Sequence, residues 1–243
     1  MTGWWLREAV AACGLSPPRG FPREMREALL PLHVRLLPLA RLSTAGVRDW
    51  LIQKGIHHKV ADIDRPLHGC MVARAGCGFF FYDEEDDERE QRFSLAHEAA
   101  HFTLEHLLPR FRALRAMGEE IRPVLDGKRT PTPEETLSSV LEGIPFGVHV
   151  RLMERDSSGS IRMRSVEEAE QRADRLALEL LAPALLALKV LQGVPRELAG
   201  PRVASYFGLP LDVARMYAGM LLGRARTPRF SIQDLLGEVG SCP

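Results

Sequence analysis

The sequence lacks a long hydrophobic run, and it lacks an excess of charge of either sign. No stretch of about eighteen consecutive apolar residues occurs in its 243 residues, so we expect no membrane-spanning helix. Its 32 basic residues are balanced by 32 acidic residues. This balance argues against a broad electrostatic surface for DNA or for an anionic membrane, and it leaves room for a local basic patch.

Cysteine is also scarce, and the four cysteines form no C-x-x-C pair. Cys70 and Cys77 flank a predicted tight turn, so a disulfide between them is one possibility, and free thiols in a reducing cytosol are the favoured alternative. The N-terminal segment lacks the basic region that precedes the apolar core of a signal peptide. We therefore expect a cytoplasmic protein without a signal peptide.

The sequence pattern divides the chain into three predicted parts. Residues 1–42 form a helical N-terminal region, because helical spacing occurs over 4–15 and over the leucine-rich stretch 22–40. The second part, residues 43–183, contains short runs rich in β-branched and aromatic residues. They predict a small antiparallel sheet with a hairpin turn at "RAGCG". The runs are "HHKVADI", "HGCMVARA" and "GCGFFFYDE".

Helices are predicted over much of the remaining chain. Pro109 is expected to end the helix that contains "HEAAH", and Thr132 is expected to cap another. The segment "GVHVRLMER" alternates as a strand does, and residues 166–182 have strong helical spacing. The third part, residues 184–243, contains two helices joined by "FGLP", at a spacing typical of a helix-turn-helix unit.

The pentapeptide "HEAAH" places two imidazoles on one face of its helix. His97 and His101 are four residues apart, about one turn, so both can reach one zinc ion, which favours nitrogen ligands in tetrahedral directions. Glu98 projects about 100° away around the helix, towards a water on the metal. Because zinc lowers the pKa of that water to near 7, Glu98 can accept its proton and pass it to a leaving amine. The pattern predicts zinc-dependent amide hydrolysis with Glu98 as general base.

The alternative is an amphipathic helix with two incidental histidines. The small residues Ala99 and Ala100 weigh against it, because they suit close packing of this helix. A catalytic zinc also needs a third protein ligand. Glu105 and His106 are expected to be exposed or to contact the ligands instead, since one straight helix cannot surround an ion. His68 precedes the predicted hairpin, and nothing in the sequence fixes its place.

The third ligand is predicted on the helix over residues 166–182. Ala173 and Ala177 belong to its expected buried face, and Glu170 lies near that face. Glu167 shares the same side one turn earlier, so the spacing alone leaves both carboxylates open. A carboxylate at the edge of a core needs a partner, which is either a metal ion or an arginine.

Two stretches resemble the signatures of the ImmA/IrrE family of metallo-endopeptidases. "RFSLAHEAAHF" is similar to the first signature, in which an Arg-Phe-small-Leu-Ala run precedes HExxH, and "EQRADRLALELLAP" is similar to the second. The strand pair before the metal helix also resembles the family. The resemblance covers residues 43–108 and 166–183, and it extends more loosely to the C-terminal helix pair.

The resemblance implies a site, a fold and a function. The family's zinc ligands match His97, His101 and Glu170, with one Zn²⁺ per chain, and its general base matches Glu98. The implied fold is α+β, a gluzincin-like core in which a small antiparallel sheet packs on a metal-binding helix pair, flanked by the N-terminal and C-terminal helices. The implied function is cleavage of helix-turn-helix transcriptional repressors, which derepresses stress-response or mobile-element genes.

The sequence departs from the family in one respect that bears on access to the site. The gap between His101 and Glu170 is longer than is usual in the family, and the extra segment spans roughly residues 109–165. It is a lid, a docking insert for substrate or an inhibitory flap, or else a surface elaboration.

Two non-catalytic hypotheses stand beside the peptidase. One is a DNA-binding or protein-binding transcriptional regulator that uses the locally basic helix pair at 196–223. The few polar side chains in "PLDVARMYAG" favour packing or substrate docking for this pair instead. The other hypothesis is a zinc-free member that acts by binding alone, although it keeps all four matched residues. The sequence does not determine the oligomeric state.

Overall fold

The computed structural model describes residues 3–56, 58, 63–141, 149–154 and 164–225, and this part of the chain contains a small sheet and many helices, in agreement with the predicted α+β class. The strands are β1 (Val34–Leu39), β2 (Leu67–Arg74), β3 (Cys77–Asp83) and β4 (His149–Glu154). The helices are α1 (Trp4–Cys13), α2 (Met25–Ala28), α3 (Thr44–Gln53), α4 (Glu88–His101), α5 (Leu108–Met117), α6 (Arg122–Leu125), α7 (Pro133–Leu141), α8 (Arg164–Leu181), α9 (Ala184–Val190), α10 (Arg196–Phe207) and α11 (Leu211–Ala225). None of these helices is both long and apolar enough to cross a membrane.

The strands form one mixed sheet in the order β1-β3-β2-β4. β2 and β3 are an antiparallel hairpin, and β4 lies antiparallel to β2 on its other side. The hairpin turn is Ala75-Gly76, where φ is positive at both residues, 53° and 81°. Tight two-residue turns that match the twist of the strands require this backbone conformation. The predicted turn at "RAGCG" and the predicted strand in "GVHVRLMER" are therefore confirmed.

Strand β1 corrects the helix predicted over residues 22–40. Within that stretch, Met25–Ala28 is α-helical, whereas Val34–Leu39 is a strand that runs parallel to β3. The expectation of a purely antiparallel sheet is wrong for the same reason. A short leucine-rich run fits a buried strand as well as a helix, and packing beside β3 decides between them. The predicted strand "HHKVADI" lies largely outside the described residues.

Helices cover both faces of the sheet. On one face, Val72 and Phe81 pack with Val47 of α3. On the other face, Met71 and Phe80 belong to the main core, which includes α4. The sheet therefore separates a small apolar cluster from the larger core, and α4 lies on the larger side.

Helix α4 packs against the sheet and against α8. Asp87 caps its N-terminus by accepting hydrogen bonds from the amides of Arg89 and Glu90. Every residue over 92–101 is buried, and three of these ten residues are alanines. Such small side chains let the sheet and α8 approach the helix closely.

Two predictions at helix ends have different outcomes. Thr132 caps α7 as expected, because its Oγ1 accepts from the amide of Glu135 at 3.2 Å. Pro109, in contrast, does not end the helix before it. Helix α4 continues into a π-helix, Phe102–Leu107, and then into α5, where Pro109 occupies the first turn. Proline has no amide hydrogen to donate, and Pro109 lies directly after the π-helical turn, where the hydrogen-bond pattern of the helix changes.

One hydrophobic core joins the three predicted parts of the chain. It contains Leu6 of α1, Ala177 of α8 and Phe207 of α10. The hydroxyl of Tyr217 on α11 also donates to the carbonyl of Ala182 at 2.8 Å. The boundaries predicted after residues 42 and 183 stay predictions, because shared packing does not locate independently folding units.

The predicted C-terminal helix pair is present as α10 and α11. Gly208 ends α10 with a left-handed φ of 65°, and a Cβ there would lie 2.6 Å from Arg92 and 2.7 Å from Pro22. Glycine thus permits both the turn and the close approach of the N-terminal region. The helix-turn-helix character of the pair α10 and α11 stays a prediction. The tail at 226–243 lies outside the described part of the chain.

Candidate metal centre

Helix α4 brings the two histidines of "HEAAH" together inside the protein. His97 and His101 are 2% and 1% exposed, and their Nε2 atoms lie 3.0 Å apart. Residues four apart occupy one helical face, so the backbone of α4 itself sets this spacing. Two imidazole nitrogens therefore point at one small volume.

Helix α8 brings Glu170 to the same volume. Its Oε2 atom lies 3.4 Å from Nε2 of His97 and 3.5 Å from Nε2 of His101. Ala173 and Ala177 are fully buried, and α8 packs closely on α4. The group His97, His101 and Glu170 has the atoms and the proximity needed to hold a metal ion, with one ligand atom from each residue and all three atoms within 4.8 Å of one another.

Glu167, the other carboxylate left open by the sequence, lies away from this group. It is exposed and accepts a hydrogen bond from Gln171 at 3.4 Å. One helical turn separates it from Glu170, and that turn is enough to carry its side chain from the cluster to the surface. The geometry therefore favours Glu170 as the third ligand.

Two further carboxylates contact the outer nitrogens of the imidazoles. Oε1 of Glu105 lies 2.8 Å from Nδ1 of His101. Oδ1 of Asp174 lies 3.0 Å from Nδ1 of His97, at the distance of an ion pair without the alignment of a hydrogen bond. Carboxylates at this position orient histidine ligands in metal sites. No role for Asp174 was predicted from the sequence, although its position four residues after Glu170 puts both residues on one face of α8.

The carboxylates shift the pKa values of the cluster. Burial would lower the pKa of His97, but contacts with Asp174 and Glu170 raise it to about 10. Burial likewise opposes the charge of His101, and Glu105 and Glu170 raise its pKa. Burial would raise the pKa of Glu170, but the two imidazoles hold it far below the usual range. The carboxylates thus stabilise positive charge at the point where the three ligand atoms converge, and either protons or a metal ion can supply that charge.

Glu98 is buried next to the cluster without a hydrogen-bond partner. It is 1% exposed, and neither carboxylate oxygen has a partner among the described residues. Burial raises its pKa to about 7, against the opposing effect of His97 and His101. Buried polar groups are nearly always satisfied, so an orphaned carboxylate beside convergent ligand atoms fits a site that accepts water and a metal ion.

Strand β2 makes the room that Glu98 occupies. A Cβ atom on Gly69 would lie 2.5 Å from Oε1 of Glu98. Glycine has no Cβ atom, so it avoids this collision. Gly69 was not predicted as a site residue, since no local pattern connects a strand glycine with a glutamate on a later helix.

The other histidines considered as ligands lie elsewhere. His106 is buried, accepts a hydrogen bond from the amide of Gly76 at 2.9 Å and stacks on Phe102. It therefore supports the hairpin turn, and because its side chain is buried, the expectation that His106 is exposed is wrong. Nδ1 of His68 lies 3.0 Å from Oδ2 of Asp86, and His68 is not in the cluster.

The cysteines that the structure describes are unpaired. Cys13, Cys70 and Cys77 are free thiols. In the hairpin, Cys70 lies opposite Phe81, and Cys77 lies opposite Arg74. The two thiols are thus at different positions along the sheet, and the disulfide considered for them is not present.

A comparison with protein families finds a match over part of the chain. Residues 62–122 match the family model Peptidase_M78, described as the IrrE N-terminal-like domain. No curated protein and no solved structure matches the chain significantly. The matched segment includes His97, Glu98 and His101, and it ends before Glu170.

Proposed function

We propose, since residues 62–122 belong to the ImmA/IrrE peptidase family, that the chain is a zinc-dependent endopeptidase with one zinc ion per molecule. The observation that carries the proposal is the convergence of His97, His101 and Glu170 beside the orphaned carboxylate of Glu98. The residues present fit zinc, because two imidazole nitrogens and one carboxylate oxygen form a known ligand set of catalytic zinc and leave a fourth position open.

The proposed mechanism divides the work between the ion and Glu98. When bound, zinc supplies Lewis acidity, which polarises a carbonyl and lowers the pKa of water to near 7. Glu98 accepts the proton of the attacking water and then donates it to the nitrogen of the leaving amine. In the metal-free site, burial raises the pKa of Glu98 to about 7. A bound cation would lower this pKa and so favour the ionised carboxylate that accepts the proton.

We also propose that the substrate is a helix-turn-helix transcriptional repressor, whose cleavage derepresses stress-response or mobile-element genes. This part of the proposal rests on the resemblance of "RFSLAHEAAHF" and "EQRADRLALELLAP" to the signatures of the family. A peptidase acts on a protein substrate, and the family resemblance supplies the class of that protein.

The competing hypothesis is a regulator that binds DNA through α10 and α11. The surface of α11 supports it less well. Leu211 and Met216 are 38% and 46% exposed, and Arg215 pairs with Asp212 at 3.3 Å. Exposed apolar groups suit contact with a protein better than contact with base edges, which present hydrogen-bonding groups.

The test is incubation of the purified chain with helix-turn-helix proteins encoded near its gene, with and without zinc, followed by mass mapping of the fragments. We expect zinc-dependent cleavage at a defined bond, and none with Glu98→Gln. Cleavage that survives both zinc removal and Glu98→Gln would contradict the mechanism. Salt-sensitive, sequence-specific DNA binding without any cleavage would support the regulator.

A further inference from the structure

We propose that Glu105 and Arg151 are positioning residues that orient His101 for the metal, so that strand β4 completes the metal site. The inference rests on the proposed zinc site and goes beyond it, because it gives the long segment before α8 a defined role. Two side-chain contacts and one strand pairing carry it.

The first contact sets the orientation of the ring. Oε1 of Glu105 lies 2.8 Å from Nδ1 of His101, so a proton on Nδ1 is donated to the carboxylate. Nε2 of His101 then presents its lone pair to the point where His97 and Glu170 converge. In metal sites, a hydrogen bond to the outer nitrogen fixes the tautomer and the ring plane in this way.

The second contact holds the carboxylate itself. Nε of Arg151 donates to Oε2 of Glu105 at 2.5 Å. One oxygen of Glu105 is thus committed to the imidazole and the other to the guanidinium, which leaves the carboxylate a single orientation. Glu105 is 20% exposed and Arg151 is 34% exposed, so water competes only partly for the pair.

The strand pairing places Arg151 on the face of the sheet that packs against α4. Arg151 lies opposite Met71 in the register of β4 and β2. Directly opposed residues of antiparallel strands share a face, and Met71 belongs to the core that includes α4. The guanidinium is therefore on the side of the sheet that faces the metal helix.

The backbone that carries Glu105 is itself unusual. Phe102–Leu107 is π-helical and follows His101 directly. Such segments are rare and occur mostly as single turns, often at functional sites. Within this turn, Glu105 contacts His101 and the next residue, His106, contacts the amide of Gly76. The turn thus serves the metal cluster and the hairpin with consecutive side chains.

The consequence is that affinity for the metal depends on β4. This strand belongs to the segment at 109–165, which the sequence left open as a lid, a docking insert, a flap or a surface elaboration. Loss of a partner on the outer nitrogen of a histidine ligand typically weakens metal binding about 10-fold to 100-fold. Because Arg151 acts on His101 only through Glu105, its effect must vanish when Glu105 is removed.

The experiment measures zinc affinity by competition with a chromophoric chelator. The variants are Glu105→Ala, Glu105→Gln, Arg151→Gln, Arg151→Lys and the double variant Glu105→Ala/Arg151→Gln. We expect roughly tenfold weaker binding or more for Glu105→Ala, a smaller loss for Glu105→Gln, which keeps an acceptor oxygen, and a loss for Arg151→Gln that Arg151→Lys partly restores. The double variant is expected to equal Glu105→Ala.

The matched control is Arg129→Gln. Arg129 forms an ion pair with Glu135 at 2.7 Å in the same long segment, and it also donates to the carbonyls of Glu120 and Thr130. Its removal is expected to leave zinc affinity unchanged. If Glu105→Ala fails to fold, as judged by circular dichroism, the near-isosteric Glu105→Gln replaces it in both the single and the double variant.

Two results would overturn the inference while leaving the zinc site intact. One is wild-type zinc affinity, within about twofold, in both Glu105 variants, far below the loss expected for such a partner. The other is a loss of zinc affinity from Arg151→Gln that is equally large in the Glu105→Ala background. This result would show that Arg151 stabilises strand β4 and does not act through Glu105. Failure of the wild-type chain to bind zinc would instead defeat the proposed function, and with it the inference.

Discussion

Gly69 on β2 faces Glu98 on α4 so closely that a Cβ atom on the glycine would lie 2.5 Å from Oε1 of the glutamate. The strand and the helix approach each other at this point because residue 69 has no side chain. The proposed general base therefore depends on a glycine that is almost thirty residues earlier in the chain.

The first prediction concerns this contact. Gly69→Ala is expected to displace the carboxylate of Glu98 and to lower kcat/KM for cleavage at least tenfold, because misplacement by about 1 Å can cost 100-fold in rate. Zinc affinity is expected to change little, since Glu98 is not a ligand in our proposal. Parallel measurements of cleavage and zinc binding check this split.

Gly78→Ala is a control for overpacking of the same sheet. A Cβ there would lie 2.9 Å from the ring of Phe80, so it strains the sheet without touching Glu98. We expect a lower melting temperature than that of the wild type, and a kcat/KM equal to that of the wild type for the folded protein. Equal losses of activity in both variants would show that strain of the sheet, rather than the position of Glu98, controls the rate.

The second prediction separates the base from the ligands. Glu98→Gln keeps the shape of the side chain and removes its ability to accept a proton, so cleavage is expected to fall about 100-fold to 10,000-fold. Zinc content is expected to equal that of the wild type. Cleavage of the repressor at the wild-type rate by this variant would exclude Glu98 as the base.

The third prediction distinguishes the two carboxylates that the sequence left open. Glu170→Ala is expected to lose zinc, since Oε2 of Glu170 is the only carboxylate oxygen in the described ligand cluster. Glu167→Ala is its matched control on the same helix and is expected to keep zinc, because Glu167 is exposed. Zinc content after dialysis gives the answer. Full occupancy in Glu170→Ala would assign the third ligand elsewhere.

The fourth prediction concerns stability of the metal-free protein against pH. Burial raises the pKa of Glu98 from 4.5 to about 7, so between these values the folded state holds a proton that the unfolded state has released. The free energy of unfolding therefore falls as pH rises through this range. Above pH 7 the cost is about 3 kcal/mol.

Glu98→Gln cannot ionise and escapes this cost. We expect it to stabilise the metal-free protein, and to do so more at pH 8 than at pH 5, as measured by urea denaturation. The exposed Glu134 on α7 supplies the control, Glu134→Gln, for which no such difference is expected. A stability gain that is the same at both pH values would show that the effect does not come from ionisation of Glu98.

The sequence predicts those parts of the site that depend on the spacing of residues within one helix. His97 and His101 are one helical turn apart, so their convergence follows from the periodicity of α4. The contact between Glu105 and His101 has the same spacing, although the sequence could not distinguish it from exposure. The family signature directed attention to Glu170, and the geometry of α8 agrees with that choice.

The parts that were missed depend on contacts between distant segments. Arg151 reaches Glu105 from β4, and no periodicity marks one arginine among the many arginines of the chain as its partner. Strand β1 was predicted as helix because its pairing with β3 is a tertiary choice that its leucines do not encode locally. Long-range packing, rather than local propensity, decides both features.

The most direct test of the proposed metal site is X-ray absorption at the zinc edge of the metal-depleted chain after titration with zinc. We predict uptake of about one equivalent, with nitrogen and oxygen ligands at about 2.0–2.1 Å and no sulfur at about 2.3 Å. The wild-type spectrum should vanish in the double variant His97→Ala/His101→Ala. Absence of zinc uptake, or a sulfur ligand in the first coordination sphere, would contradict a site formed by His97, His101 and Glu170.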